Sequence, residues 1–264
     1  MKRGQNGSKH LRPKAKAVSR ASKSKVKSPK AKPRKPGALK MMVEAIPALQ
    51  WTEGMDVSKN QDVDWPNIDT NSIKFAIIKA TDGIDYVDPS FQVNWAAAGQ
   101  LSSMKRGAYH FFRPDDDVDA QADLIKRTVS LKPNDLPMML DVENTDNRPL
   151  TPQDVPALAK MLQSLTALFG RKPVVYTGND SWSNLGSPTS SGGVSFGDFP
   201  LWIAHYTTNP APNYPAPWIQ WLIWQYTAQG SVAGVRKPGS GGPVTVDLDR
   251  FNGSLDGLMR LVRT

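Results

Sequence analysis

Pro137-Met138-Met139-Leu140-Asp141-Val142-Glu143-Asn144 is the stretch on which the fold turns. Residues 137–142 are mostly apolar and read as a strand. Alternate side chains of a strand share a face, so Asp141 and Glu143 point one way, and Leu140 and Val142 point the other, toward covering helices. A well-marked helix follows. Thr151 suits the N-cap, Pro152 the first helical position, and Asp154 completes a capping-box-like arrangement. Val155, Leu158, Leu162, Leu165 and Phe169 then form an apolar stripe, and Gly170 closes the helix. Val174-Val175-Tyr176 is the next strand. Strand, helix, strand in this order points to a parallel sheet.

Working outward, Ser72 to Ala80 and Gly107 to Phe112 read as two earlier strands. A helix is expected from about Val118 to Leu131, with Ala122, Ile125 and Val129 at helical spacing. Downstream, Leu201–Tyr206, Ile223–Thr227 and Val244–Leu248 read as strands without helices between them. The intervals at 183–198, 207–217 and 229–243 are rich in Ser, Gly and Pro. With Met55-Asp56-Val57 the strands number eight. The expected class is α/β: an irregular TIM-like β/α barrel of eight strands with a reduced number of helices. A regular eightfold barrel takes about 250 residues, more than remain from residue 50 onward.

Two regions of different character are expected: a disordered basic N-terminal arm at 1–45 and a barrel domain at 50–264. Residues 1–40 hold 15 of the 33 Lys and Arg and none of the 24 Asp and Glu, so the net charge of +9 belongs to the arm and the remainder is acidic. Such a segment lacks the apolar surface to offset its ordering entropy. It suits anionic polymers (teichoic acid, nucleic acid or anionic lipid), and equally reads as a solvated tail or as sequence ahead of a start at Met41. Without Cys there is no disulfide framework or thiolate metal site. No run of ~18 apolar residues is present to span a bilayer, and no signal peptide is seen.

Paired carboxylates at the end of a buried strand are costly unless one holds a proton or both are hydrogen-bonded, and each raises its neighbour's pKa. That suits proton transfer, although a carboxylate pair can also cap a loop or satisfy an arginine. Asp56 in the first strand and Asp247 in the last would join Asp141 and Glu143 at one mouth if the barrel closes. Aromatic faces beside carboxylates suit a sugar-binding groove. Trp202 with Tyr206, Trp224 with Tyr226, and Tyr109 with Phe111 share strand parity, and Tyr176 joins them as a candidate substrate-binding residue. Each of these aromatics, taken alone, also reads as core. With no Cys and three His, a zinc hydrolase is not indicated, and no Gly-x-Ser-x-Gly elbow follows a strand.

Ordered blocks carry a resemblance: Gly54-Met55-Asp56-Val57-Ser58, Val63-Asp64-Trp65, Phe75 through Gly83, Arg106 through Phe111, Leu140-Asp141-Val142-Glu143, Val174 through Thr177, Leu201 through Ala204, Trp224 through Thr227, and Val246-Asp247-Leu248. Over 54 to about 252 the chain resembles the glycoside hydrolase family 25 lysozymes, the Chalaropsis-type muramidases. The resemblance implies an eight-stranded barrel, hydrolysis of the β-1,4 bond between N-acetylmuramic acid and N-acetylglucosamine in peptidoglycan, and no cofactor or metal. It implies Glu143 as general acid. Asp141 acts with it, either as nucleophile or by orienting the substrate's N-acetyl group, and Asp56 and Asp247 are the other acidic site positions. A monomer acting at the bacterial cell wall is expected, either extracellular or, as in a phage endolysin, made in host cytoplasm and then released. Asp249 departs from the pattern, standing where Asn is expected. The alternatives are an inactive carbohydrate-binding barrel and a polyanion-binding protein working through its arm.

Overall fold

In the computed structural model, which describes residues 51–261, the segment 138–144 contributes a short central strand whose neighbours on both sides run parallel to it. The basic arm lies outside the described residues. Eight strands form the barrel: β1 (Thr52–Val57), β2 (Phe75–Asp82), β3 (Lys105–Phe111), β4 (Met139–Asp141), β5 (Val174–Gly178), β6 (Leu201–Ala204), β7 (Ile223–Gly230) and β8 (Val246–Phe251). Pairing from β1 through β7 is parallel throughout. Strand β8 closes the ring antiparallel to both β7 and β1. The expectation of a parallel sheet is corrected at this strand. Parallel strands need a long crossover, usually helical, to bring the chain back. The helix-free segment 231–245 turns the chain back on itself, whereas the equally helix-free 205–222 carries it across to a parallel strand.

Among the described residues five helices accompany the strands: α1 (Phe91–Ala98), α2 (Val118–Thr128), α3 (Val155–Phe169), α4 (Asn179–Asn184) and α5 (Leu255–Leu261). The start of α3 follows from its sequence. Asp154 accepts from the Thr151 backbone N–H at 2.7 Å and from its hydroxyl at 3.1 Å, and residues 152–154 form a 3-10 turn leading into the helix. Gly170 ends it at φ 70°, a conformation that favours glycine. Helix α2 stops at Thr128, earlier than expected. Val129 turns extended yet remains buried, so its side chain serves the core without continuing the helix.

Strand alternation sorts the apolar residues into two layers. Phe75, Ile77, Met139, Val174, Tyr176, Trp202, Ile223 and Phe251 fill the barrel, and Leu258 of α5 joins this cluster. Met55, Ile78, Leu140, Val142, Val175 and Ile203 face outward, in one cluster with Leu158, Leu162 and Leu165 of α3. Gly54 belongs to the interior face, where a Cβ would overlap the Phe75 ring.

Candidate active site

The direction of β8 decides where its acids lie. Its first residues sit at the end of the barrel where β1 to β7 terminate, so Asp247 pairs in register with Asp56 at the end of β1. Two residues deeper, Asp249 lies between Gly54 of β1 and Gln225 of β7. Asp141 ends β4, and Glu143 follows it by two residues. Asp249 is fully buried, and Asp56 and Asp141 nearly so; Glu143 and Asp247 are partly accessible.

Burial is the first cause of raised pKa at all five carboxyls, because the charged form loses water. Mutual repulsion adds to it: Asp247 and Glu143 push Asp56 up, and Glu143 and Asp56 push Asp141 up. Lys79 of β2 opposes this, pulling both Asp141 and Glu143 down. Its ammonium lies 3.2 Å from Asp82 and over the Phe111 and Tyr109 rings, at 5.1 Å and 5.9 Å from the centroids. Arg113 also pulls Glu143 down, but against five buried or half-buried acids the two cations leave the cluster holding protons above the ordinary carboxylate range. Oδ1 of Asp141 is buried and has no hydrogen-bond partner.

Gln225 organises the floor. Its Oε1 accepts from the hydroxyls of Tyr176 at 3.0 Å and Tyr206 at 2.8 Å, and its Nε2 donates to Oδ2 of Asp56 at 2.7 Å. The two tyrosines therefore fix which end of the amide faces Asp56.

Of the aromatic candidates, Tyr109, Tyr176 and Trp202 meet inside the barrel. Their edge contacts have centroids 6.4 Å (Tyr109–Trp202) and 4.6 Å (Tyr176–Trp202) apart. Phe111 lies beneath Lys79 and Arg113. Tyr206, beyond the end of β6 and 57% exposed, is the ring open to solvent. Trp224 and Tyr226 are not brought to the carboxylates. Gln225 points inward, so its two neighbours point outward. Trp224 is buried in the outer layer and donates to the His205 carbonyl at 2.7 Å; Tyr226 lies under the Arg250 guanidinium at 4.0 Å.

Lys79 and Gln225 were not singled out from the sequence, and Asp249 was noted only as a departure. The parity signal existed: Lys79 continues the Phe75, Ile77 face, and Asp249 shares the face of Asp247. Among the described residues no three His, Asp or Glu side chains are grouped so as to hold a metal ion. A cavity of about 740 Å³ lined by Trp95, Lys105, Arg106 and Asp135 lies by the start of β3, at the other end of that strand from the carboxylates.

Known proteins resemble this chain in sequence and in fold. Uncharacterized protein YegX of Escherichia coli K12 is 33% identical over 224 residues, covering 82% of this chain and 75% of that one. Lysozyme M1 of Streptomyces globisporus is 33% identical over 219 residues, covering 79% of this chain and 70% of that one. The crystal structure of a bacterial lysozyme from Streptomyces coelicolor superposes with a TM-score of 0.70 at 32% identity, covering 81% of this chain and 98% of that chain. The profile of the glycosyl hydrolases family 25 matches residues 55–235, and this chain belongs to that family.

Proposed function

We propose that this protein is an N-acetylmuramidase: it hydrolyses the β-1,4 bond between N-acetylmuramic acid and N-acetylglucosamine in peptidoglycan. The observation that carries the reading is the Asp141–Glu143 pair, a partly accessible carboxyl whose pKa burial raises, beside a deeper one with an unpaired oxygen. Glu143 protonates the departing glycosidic oxygen, and its raised pKa keeps that proton available above the usual glutamate range. Asp141 accepts the N–H of the substrate's N-acetyl group on its unpaired Oδ1. This orients the acetyl oxygen toward the anomeric carbon, a substrate-assisted route. The new donor also favours the ionised form of Asp141, which offsets part of its burial cost. Asp56 and Asp247 line the rim, and the exposed Tyr206 ring offers a face for a sugar's C–H groups.

Digestion of purified peptidoglycan, borohydride reduction of the new ends and mass analysis test the assignment. Reduced N-acetylmuramic acid at the fragment ends is expected. Reduced N-acetylglucosamine would instead identify a glucosaminidase, and no new ends would favour a carbohydrate-binding barrel.

A further inference from the structure

Asp249 has no part in the proposed chemistry, yet it is the most deeply buried carboxyl of the cluster, with no exposed surface. Its Oδ1 accepts from the Trp202 indole N–H at 2.8 Å, and its Oδ2 meets no donor N–H or O–H group of the protein. Asp249 stands two residues below Asp247, the register partner of Asp56, and pairs with Gln225 of β7, whose Nε2 reaches Asp56, so the two carboxyls are diagonal neighbours on the interior face within reach of one shared hydrogen bond. Two ionised carboxylates cannot hydrogen bond to each other; one must carry a proton. Asp56 already receives Gln225 Nε2 on Oδ2 and lies nearer the rim, so the negative charge is better accommodated there.

We infer that Asp249 is a neutral carboxylic acid that donates its proton to Asp56, and so acts as a positioning residue holding Asp56 ionised and aimed at the mouth. The inference rests on the proposed hydrolase reading for its catalytic consequence, but not for the protonation state. The groups facing the pair are Asp247 from the same strand, Glu143 beyond β4, Gln225 from β7, Trp202 from β6 and the hydroxyls of Tyr109, Tyr176 and Tyr206. None of these is a cation. A second negative charge in the pair would therefore lack compensation, and burial together with Asp56 holds the Asp249 carboxyl well above its ordinary range. The arrangement also sets the chemistry position 249 requires: one acceptor toward Trp202 and one donor toward Asp56. Asparagine supplies both, and leucine, branched alike at Cγ, supplies neither.

The test compares wild type, Asp249→Asn and Asp249→Leu. At pH 7 the infrared difference spectrum of wild type minus Asp249→Asn should contain the carbonyl stretch of a protonated carboxyl, and this holds whether or not the protein cleaves peptidoglycan. In pH profiles of kcat/KM, Asp249→Leu should lose about tenfold or more, and its acid limb should move to higher pH, because Asp56 has lost a donor to its charged form. Asp249→Asn should restore the acid limb and most of the activity lost in the leucine variant. Absence of the protonated-carboxyl band would overturn the inference, even if the leucine variant fails to fold. An asparagine variant as impaired as a folded leucine variant would also overturn it. A wild type inactive on peptidoglycan would refute the hydrolase reading and leave the infrared result to decide this one.

Discussion

Tyr206 shows how much one side chain's surroundings decide. Its hydroxyl is tied to Gln225 at 2.8 Å while its ring stays 57% exposed, so the ring is held in place and open at once. Tyr206→Phe keeps the ring and removes the bond that helps orient the Gln225 amide. Its kcat on peptidoglycan fragments should fall more than KM rises, while Tyr206→Ala should raise KM as well. A steady-state kinetic comparison of the two variants separates these effects; wild-type kinetics in both would remove Tyr206 from the site. Trp224 is the converse case. Packed in the outer layer, Trp224→Phe loses its bond to the His205 carbonyl and should cost about 1–3 kcal/mol of stability, with KM unchanged. Denaturant titration and kinetics check both parts. The carboxylates were legible because strand parity alone pairs Asp141 with Glu143. The aromatics were only partly so. Tyr109 and Trp202 follow from alternation, but choosing between Gln225 and its two aromatic neighbours requires knowing which face of β7 is inside, and apolar residues occupy both faces.

Among the elements, α3 was readable because its ends are chemically marked. The apolar stripe of α1 includes Asn94, a polar residue buried by accepting from Trp65 Nε1 at 3.0 Å, so its helical period is hidden in the sequence. The cap of α3 also anchors the segment after Glu143. Arg148 donates to both oxygens of Asp154 at 2.8 Å and to Asp115 at 2.7 Å and 2.9 Å. Burial raises the Asp154 carboxyl, but the Arg148 and Thr151 bonds outweigh it and hold Asp154 below the ordinary aspartate range. Asp154→Ala should therefore destabilise the fold by about 1–3 kcal/mol. A depressed carboxyl contributes stability above its unfolded pKa and loses it as pH falls through the folded value, so the gap between wild type and variant should narrow below pH 4. His110 joins β3 to β2 and α2, with Nδ1 2.8 Å from Thr81 Oγ1 and Nε2 3.0 Å from Gln121 Oε1. Burial pushes it down from 6.5 to about 4. Above pH 6.5 the imidazole is neutral in both states; as pH falls from 6.5 to 4 only the unfolded chain takes up the proton, and folding loses an amount on the order of 3 kcal/mol. Chemical denaturation of wild type and His110→Gln across that window should show their difference shifting toward the variant. A constant difference would count against a neutral buried imidazole.

For the molecule as a whole, the barrel was legible as eight strands, but the direction of the eighth was not. A strand's residues do not record which way it runs; the connection before it does, and a loop of Ser, Gly and Pro at 229–243 leaves either direction open. That direction brings Asp247 to Asp56 and gives the barrel one acidic mouth. The acidic share of the chain lies after residue 40 and the basic excess before it, so the two parts should separate functionally. A chain lacking residues 1–40 should cleave soluble wall fragments with unchanged kcat, and a loss of that activity would implicate the arm in hydrolysis. The claim at the centre is that Glu143 supplies the proton, and its most direct measurement is kcat of Glu143→Gln against wild type on peptidoglycan fragments across pH. The wild type should stay active above pH 4.5 until Glu143 deprotonates, and the folded glutamine variant should lose kcat by about 100-fold or more at every pH, with KM little changed. Equal kcat in the two proteins would contradict the assignment of Glu143 as the acid.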